Sequence, residues 1–290
     1  MGKKGPFILI DTGDGQDEYI PYLEQTLKQE GETSQQLISD IILTHKHHDH
    51  IQGLPSVLSL LHRLWPGSSS TFPAPRIHKH PHYPSEDAEF KSLIYSLPKT
   101  HISHPNQEEL YHHLRAIQTM QGIESSLVVI HTPGHTTDSI CLYLPEDKAL
   151  FTADSVLGQG TSVFEDLGTY MASLKGLLQF KEQPSKEFVR IYPGHGPVVE
   201  DGPKLIAEYI RHRTEREDQI LAVLSSAGPT GTGWTTMEIV AKIYASYPQN
   251  LWLPAARGIH LHLKKLQDEG RLKQIDGEGL DARWTLGSKL

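Results

Sequence analysis

The chain has 290 residues, 37% of them hydrophobic, which is enough for one large domain or for a medium domain with a small appendage. Its formal net charge of -8 excludes a general electrostatic attraction to nucleic acid or to anionic membranes, so binding to a polyanion would need a local basic patch or a metal. The single cysteine, Cys141, excludes an intramolecular disulfide framework and fits a reducing compartment.

The first part of the chain alternates short apolar runs with helical patterns. "PFILID" predicts a strand that ends at Asp11, and "EYIPYLEQTLKQEG" predicts a helix that Gly31 ends. "DIILT" predicts a second, buried strand, and "LPSVLSLLHRLW" has the period of a helix. Residues 66–84, rich in Pro, Ser and His, are expected to form an irregular surface segment.

Strands resume in the middle of the chain. "SSLVVIHT", "SICLYL", "ALFTADS" and "FVRIYP" are each short and bounded by turn residues, and "TYMASLKGLLQF" predicts a helix before the last of them. These strands run into polar loops that carry His or Asp. Loops at one edge of a sheet are where an active site is usually assembled.

After Pro203 the pattern changes to three helices and a hairpin. The helices are predicted by "KLIAEYIRHRTEREDQILAVLSS", by "TTMEIVAKIYASYP", which a capping box of Thr235 and Glu238 opens, and by "ARGIHLHLKKLQDEG". Two short strands, "RLKQI" and "ARWTL", complete the hairpin. This arrangement resembles a winged-helix module, so we expect one domain at 1–203 and another at 204–290.

The stretch "LTHKHHDHIQG" has the pattern H-x-H-x-D-H directly after a predicted strand. Because side chains two residues apart in extended backbone project to the same side, His45 and His47 can reach one metal ion. Asp49 and His50 can turn toward a second ion. Imidazole nitrogens and carboxylate oxygens are ligands that zinc accepts, and no cysteine is needed.

Three later loops each add one potential ligand after a strand: His135, Asp154 and His195. The glycines beside His135 and His195 permit the tight turns that aim an imidazole back over a sheet edge. We interpret seven further histidines as solvated loop residues, namely His78, His80, His82, His101, His104, His112 and His113. The clustered ligands therefore predict a metal centre.

With these residues the sequence resembles the metallo-beta-lactamase superfamily, whose members carry H-x-H-x-D-H, a distant His, a bridging Asp and a last His. The resemblance, which runs from about Phe7 to Pro197, implies an α/β fold: an αββα sandwich, here followed by the winged-helix-like domain. Because the chain starts almost on the motif "IDTG", we expect the first strands of the sandwich to be shortened.

The resemblance also assigns the ligands to two zinc ions. One ion would be held by His45, His47 and His135, and the other by Asp49, His50 and His195. Asp154 would bridge the two ions. Asp11 of "IDTG" would orient a ligand through a hydrogen bond.

Such a centre predicts hydrolysis. A bridging hydroxide is expected at neutral pH because a metal-bound water can have its pKa lowered to about 7. The two zinc ions, two carboxylates and the hydroxide leave about one positive charge, which stabilises a developing oxyanion. We place Asp49 and His50 among the catalytic residues, and no Ser or Cys nucleophile is required.

The segment "GQGTSVFEDLGTYMASLKGLL" and the C-terminal helices resemble the beta-lactamase-like-protein-two subfamily. Its animal members are single-strand-selective endoribonucleases of mitochondria, and related fungal proteins are thioesterases that release polyketides from a carrier protein. We therefore expect single-stranded RNA as the substrate, with an acyl thioester as the alternative. A catalytically silent binding protein is a third hypothesis, which the complete ligand set opposes.

The expected location is cytoplasmic or mitochondrial, since we find no signal peptide and no apolar run that could span a membrane. The oligomeric state is not indicated.

The candidate RNA contacts are Arg211, Arg213, Lys264 and Lys265, for which we prefer an interpretation as solvated helix faces. The candidate acyl contacts are Phe164, Leu167, Tyr170 and Met171, for which we prefer helix packing. His262 is a candidate proton donor that we interpret as a packing residue.

Overall fold

The structure, a computed structural model, describes residues 6–30, 36–67, 71–81, 88–106, 109, 111–115, 118–121, 126–226, 228 and 233–287. The chain divides into two compact units, one of residues 1–165 and 176–203 and the other of residues 166–175 and 204–290. The domain boundary between 203 and 204 stays a prediction. Within the described residues, no helix has the length and apolar character needed to cross a membrane.

Two sheets form the first unit. The strands of the first sheet are parallel, in the order β1 (Phe7–Ile10), β2 (Ile38–Leu43), β3 (Arg76–Lys79) and β4 (His112–His113). The second sheet follows chain order with β5 (Thr119–Gln121), β6 (Ser126–His131), β7 (Ile140–Leu144), β8 (Ala149–Ala153) and β9 (Arg190–Pro193). Its strands are antiparallel except for the parallel pair of β8 and β9.

Helices cover the outer faces of these sheets. They are α1 (Tyr19–Glu30), α3 (Leu54–Leu64), α4 (Ala88–Ser96) and the part of α5 (Leu167–Lys181) that begins at Gly176. The short helix α2 (His48–Ile51) precedes α3 in the chain. Side chains of β2 alternate, because Ile41 and Leu43 pack with α1, α3 and α4, whereas Ile42 packs among residues of the second sheet. Phe180 of α5 packs edge-on against Tyr143 of β7, with ring centroids 5.3 Å apart. The first unit is therefore an αββα sandwich.

The second unit contains most of α6 (Gly202–Leu224), then β10 (Trp234–Thr235), α7 (Thr236–Ile243), α8 (Trp252–Asp268), β11 (Leu272–Asp276) and β12 (Arg283–Leu286). The predicted capping box is confirmed, because Glu238 N donates to Thr235 Oγ1 at 3.1 Å and Thr235 N donates to Glu238 Oε2 at 2.8 Å. Among the described residues, the predicted hairpin of β11 and β12 belongs to a sheet of three strands, in the order β10, β12, β11. The third strand, β10, has only two residues, which is too short to leave a pattern in the sequence.

The expectation of an irregular surface segment at 66–84 is wrong where β3 forms. Ile77, His78 and Lys79 are buried in this strand, and His78 Nε2 lies 2.6 Å from Asp40 Oδ1 of β2. Of the histidines interpreted as solvated, His78 is therefore buried; three are half-buried, His80, His101 and His112, and two are exposed, His104 and His113. His82, like Gly31 and Pro84, lies outside the described residues.

Candidate metal centre

Loops that follow strands of both sheets bring the predicted ligands together. The loop after β2 carries His45 and His47, α2 carries Asp49 and His50, and the loops after β6, β8 and β9 carry His135, Asp154 and His195. His45, His47, His135 and Asp154 form a first group and Asp49, His50 and His195 a second, with the ligand atoms of each group within 4.8 Å of one another. Gly134 and Gly196 have φ angles of 132° and 84°, which supports the predicted tight turns.

The first group is a triangle of imidazole nitrogens. His135 Nε2 lies 3.2 Å from His45 Nε2 and 3.0 Å from His47 Nδ1, and the third edge, from His45 Nε2 to His47 Nδ1, is 3.1 Å. His135 Nδ1 donates to the carbonyl of Val163 at 2.7 Å, so its Nε2 carries a lone pair when the ring is neutral. Nitrogens on one tetrahedral zinc at about 2.1 Å would stand about 3.4 Å apart. The triangle therefore fits a small cation.

Asp11 connects the two groups. His50 Nδ1 donates to Asp11 Oδ2 at 2.7 Å, and Thr44 donates to the same carboxylate through its backbone N and its hydroxyl, both at 2.8 Å. Because the Thr44 hydroxyl has already given its one proton, it accepts from His45 Nδ1 at 3.0 Å. Both Nε2 atoms are thereby directed into the centre. The hydrogen bond from His50 to Asp11 has the geometry that the expected orienting role of Asp11 requires. The sequence analysis did not identify Thr44, which orients His45.

Asp154 presents one carboxylate oxygen to each group. Its Oδ2 lies 3.7 Å from His135 Nε2, and its Oδ1 lies 3.3 Å from His50 Nε2 and 3.5 Å from His195 Nε2. Asp49 Oδ2 completes the second group, 3.1 Å from His195 Nε2. Within the part of the chain that the structure describes, His50 Nε2 and Asp154 Oδ1 are buried polar atoms without a hydrogen bond. A cation between them would satisfy both atoms.

The electrostatics of the centre differ between the two groups. Burial, together with the charges of neighbouring histidines, holds the pKa of His45 well below its usual range, so the ring is neutral. Burial also opposes a charge on His50, but the hydrogen bond to Asp11 and the negative charges of Asp11 and Asp154 outweigh it and raise the pKa of His50 to about 10. His50 of the second group thus favours a positive charge beside Asp11 and Asp154, whereas His45 of the first group is an uncharged imidazole.

The segment 155–165 lies against the first group. Ser162 Oγ donates to the backbone oxygen of Asp154 at 2.6 Å, and Glu165 N donates to the oxygen of Gly134 at 2.8 Å. Glu165 also pairs with Lys46 at 2.7 Å, at the rim of the centre. The side chain of Val163, whose carbonyl anchors His135, is 71% exposed. The rim therefore combines the exposed apolar side chain of Val163 with a lysine, Lys46, whose charge is paired with Glu165.

Most of the candidate substrate contacts in the second unit form ion pairs with glutamates or are buried. Arg211 pairs with Glu215 at 2.6 Å, and Lys265 pairs with Glu217 at 2.9 Å, whereas Lys264 is exposed. The remaining candidates of this unit are buried: Arg213, which lies between two tyrosine rings, Leu167, Tyr170, Met171 and His262. Phe164, in the first unit, is half-buried.

The metallo-beta-lactamase superfamily matches residues 2–195, and the beta-lactamase associated winged helix domain matches residues 235–284. A "Beta-lactamase-like protein 2 homolog" of Drosophila melanogaster is 37% identical over 94% of this chain and 82% of its own length. An "Atrochrysone carboxyl ACP thioesterase" of Passalora fulva is 31% identical over 82% of this chain and 59% of its own length. The crystal structure of a "Beta-lactamase domain protein" from Burkholderia ambifaria, 16% identical, has a TM-score of 0.68 and covers 97% of this chain and 82% of that one. The chain therefore belongs to the metallo-beta-lactamase superfamily of hydrolases and carries the winged-helix domain associated with it.

Proposed function

We propose that this hydrolase works with two divalent cations, zinc in the first instance, held side by side in the two groups. The observation that carries the proposal is the carboxylate of Asp154, which presents one oxygen to each group. Imidazole and carboxylate donors without a thiolate suit zinc. The first ion would be held by His45, His47 and His135, and the second by Asp49, His50 and His195. Asp154 would contact both.

When bound, the ions supply Lewis acidity, which polarises the oxygen of the scissile group and generates a nucleophile from water near neutral pH. The chain contributes orientation. Asp11 and Thr44 fix the rings of His50 and His45 through their Nδ1 atoms, so that each Nε2 faces the centre. Asp49, whose side chain is 34% exposed, would take a proton from the attacking water and pass it to the leaving group.

Metal content tests the two-ion proposal directly. Protein stripped with a chelator and reconstituted with zinc is expected to hold two ions per chain by elemental analysis. Asp154→Ala should lower this content, because one side chain serves both groups. His104→Ala, which removes an exposed histidine outside both groups, is the matched control and should leave the content unchanged. A reconstituted chain without zinc, or Asp154→Ala with the full content, contradicts the proposal.

For the substrate we propose an acyl thioester. The support comes from relatives named as thioesterases, among them the Passalora fulva protein and one of Pseudocercospora fijiensis that is 30% identical over 99% of this chain. The rim agrees with an acyl chain, because Val163 is exposed there and Lys46 is paired with Glu165. Apolar surface beside a polar reaction centre is what an acyl group requires.

Single-stranded RNA is the second candidate, and the match to the winged-helix domain favours it. Exposed cations in the second unit, Arg257, Lys264 and Lys273, are the residues that would meet phosphates. The net charge of -8 and the pairing of Arg211 and Lys265 with carboxylates weaken this candidate relative to the thioester.

A substrate panel separates the two candidates. Zinc-loaded protein is incubated with acyl-pantetheine thioesters, single-stranded RNA, duplex RNA and a simple lactam, and His47→Ala serves as the blank for contaminating activity. Turnover of thioesters supports the proposal, and Val163→Ser should raise the KM for long acyl chains several-fold while a short acyl chain is unaffected. RNA cleavage without thioester turnover overturns the thioester proposal in favour of the nuclease.

A further inference from the structure

A lysine and an aspartate, neither of which is a predicted metal ligand, form an ion pair buried in the first unit. Lys79 ends β3, Asp138 lies in the loop after β6, and neither side chain has exposed surface. The Lys79 ammonium also lies 5.3 Å from the centroid of the Phe90 ring. Taking two charges out of water is costly, and an apolar pair of similar size is often as stable or more so. Stability alone therefore does not account for this buried pair.

The pair is tied to the loop that carries His135. Asp138 accepts from Lys79 through Oδ2 and from the Thr136 hydroxyl through Oδ1, the latter at 2.7 Å. The backbone oxygen of Thr136 accepts from Gly134 N at 2.9 Å, so the turn on either side of His135 is closed. At the end of the loop, Ile140 N donates to the oxygen of Thr44 at 3.1 Å, next to His45.

We propose that Lys79 and Asp138 are positioning residues for His135. Their ion pair anchors the loop 134–139 to the end of β3, and the hydrogen bond from His135 Nδ1 to Val163 then fixes the ring. Together these contacts hold His135 Nε2 at 3.0 Å from His47 and 3.2 Å from His45. The inference rests on the proposed function in one respect, since the purpose of this position is to bind the first ion.

The double variant Lys79→Met with Asp138→Asn removes both charges and conserves volume. Hydrogen exchange of the metal-free protein is expected to be at least 10-fold faster in the peptide covering 134–139, with exchange in β7 and β8 unchanged. In a chelator competition, zinc affinity of the first group should fall about 10- to 100-fold, as for other groups that orient ligands, while the second ion is retained. Thr136→Val, which removes one tie of the loop and keeps both charges, should move the two measurements the same way by less.

The matched control is Lys148→Gln with Glu187→Gln, which removes an exposed ion pair of 2.9 Å in the same unit and should change neither measurement. Local exchange and zinc affinity equal to those of the unaltered protein in both the double variant and Thr136→Val would overturn the inference, as would unfolding of the double variant with loss of both ions. An unaltered protein that binds no zinc contradicts the proposed function instead. The exchange measurement, made without metal, then still decides whether the pair positions the loop.

Discussion

Gly194 lies where any side chain would collide with the metal centre. A Cβ there would stand 2.5 Å from Asp154 Oδ1 and 3.1 Å from His50 Cε1, and the first distance is too short for a non-bonded contact. Gly194→Ala is therefore expected to displace the carboxylate that faces both groups and to weaken zinc binding and activity at least about 10-fold. Zinc titration and steady-state kinetics measure both effects.

A second glycine provides the control for that substitution. Gly176 lies in α5, where an added Cβ would meet no heavy atom within 4 Å. Gly176→Ala should leave zinc binding unchanged and raise the free energy of unfolding by about 0.5–1 kcal/mol, because alanine loses less backbone entropy in a helix. Equal zinc affinity of Gly194→Ala and Gly176→Ala would contradict the steric argument.

The Thr44 hydroxyl is the link between His45 and Asp11. Thr44→Val keeps the shape of the side chain but removes the hydroxyl, so His45 Nδ1 loses its acceptor and Asp11 loses one donor. We expect zinc affinity to fall about 10-fold or more, and Thr44→Ser, which restores the hydroxyl, to recover most of it. Competition with a chromophoric chelator gives the affinities. If the serine variant is as weak as the valine variant, the side-chain methyl and not the hydroxyl is what matters.

At the scale of the strands, Asp40 links β2 to β3. Burial opposes its ionisation, but hydrogen bonds from His78 and Arg76 prevail and hold the pKa of Asp40 well below its usual range. A carboxyl with a lowered pKa stabilises the fold fully above its unfolded pKa of about 3.9 and loses this contribution as the pH falls through the folded value. The free energy of unfolding lost in Asp40→Asn should therefore be largest above about pH 5 and shrink toward pH 2.

Urea denaturation between pH 2.5 and 7 measures this difference. Asp268→Asn, at an exposed position, is the control and should change the free energy of unfolding little at any of these pH values. If the free energy of unfolding lost in Asp40→Asn stays constant or grows as the pH falls, the ionised carboxylate of Asp40 is not what stabilises the contact between β2 and β3.

The same pair of strands shows what a local pattern can predict. β2 and α3 were found because an apolar run and a helical period are local signals, and α7 because its capping box spans only Thr235 to Glu238. β3 was missed because a buried parallel strand is expected to be apolar, and "RIHK" is not. His78 and Lys79 of this strand are buried because they pair with Asp40 and Asp138, respectively. These partners lie far away in the sequence, so no local pattern near β3 predicts them.

At the scale of the whole molecule, the ligand types were predictable because each follows a strand, and four of them share one short motif. Residue spacing separates His45 and His47 from Asp49 and His50. The assignment of His135, Asp154 and His195 to one ion or the other comes from the family resemblance, since the sequence alone does not give the distance between loops as far apart in the chain as 45 and 195. The supporting contacts were beyond reach: the Val163 carbonyl that holds His135 is a backbone atom with no signature in the residue type. The unit to which residues 166–175 belong was also beyond reach, because they belong to the second unit although they lie between segments of the first in the chain.

Metal binding to so many parts of the chain should also stabilise the fold. In the unfolded chain the ligands from loops at 45–50, 135, 154 and 195 are dispersed, so zinc binds the folded state preferentially. Free zinc at 100 times the dissociation constant of a site adds about 2.7 kcal/mol, which for a unit of this size corresponds to a rise in Tm of about 5–10 °C. Thermal unfolding of chelator-treated protein with and without zinc measures the shift, and His104→Ala should show all of it. His135→Ala should lose a large part of the shift, because only the second group remains complete, and a full shift in that variant would place the stabilising zinc somewhere other than the triangle of imidazole nitrogens.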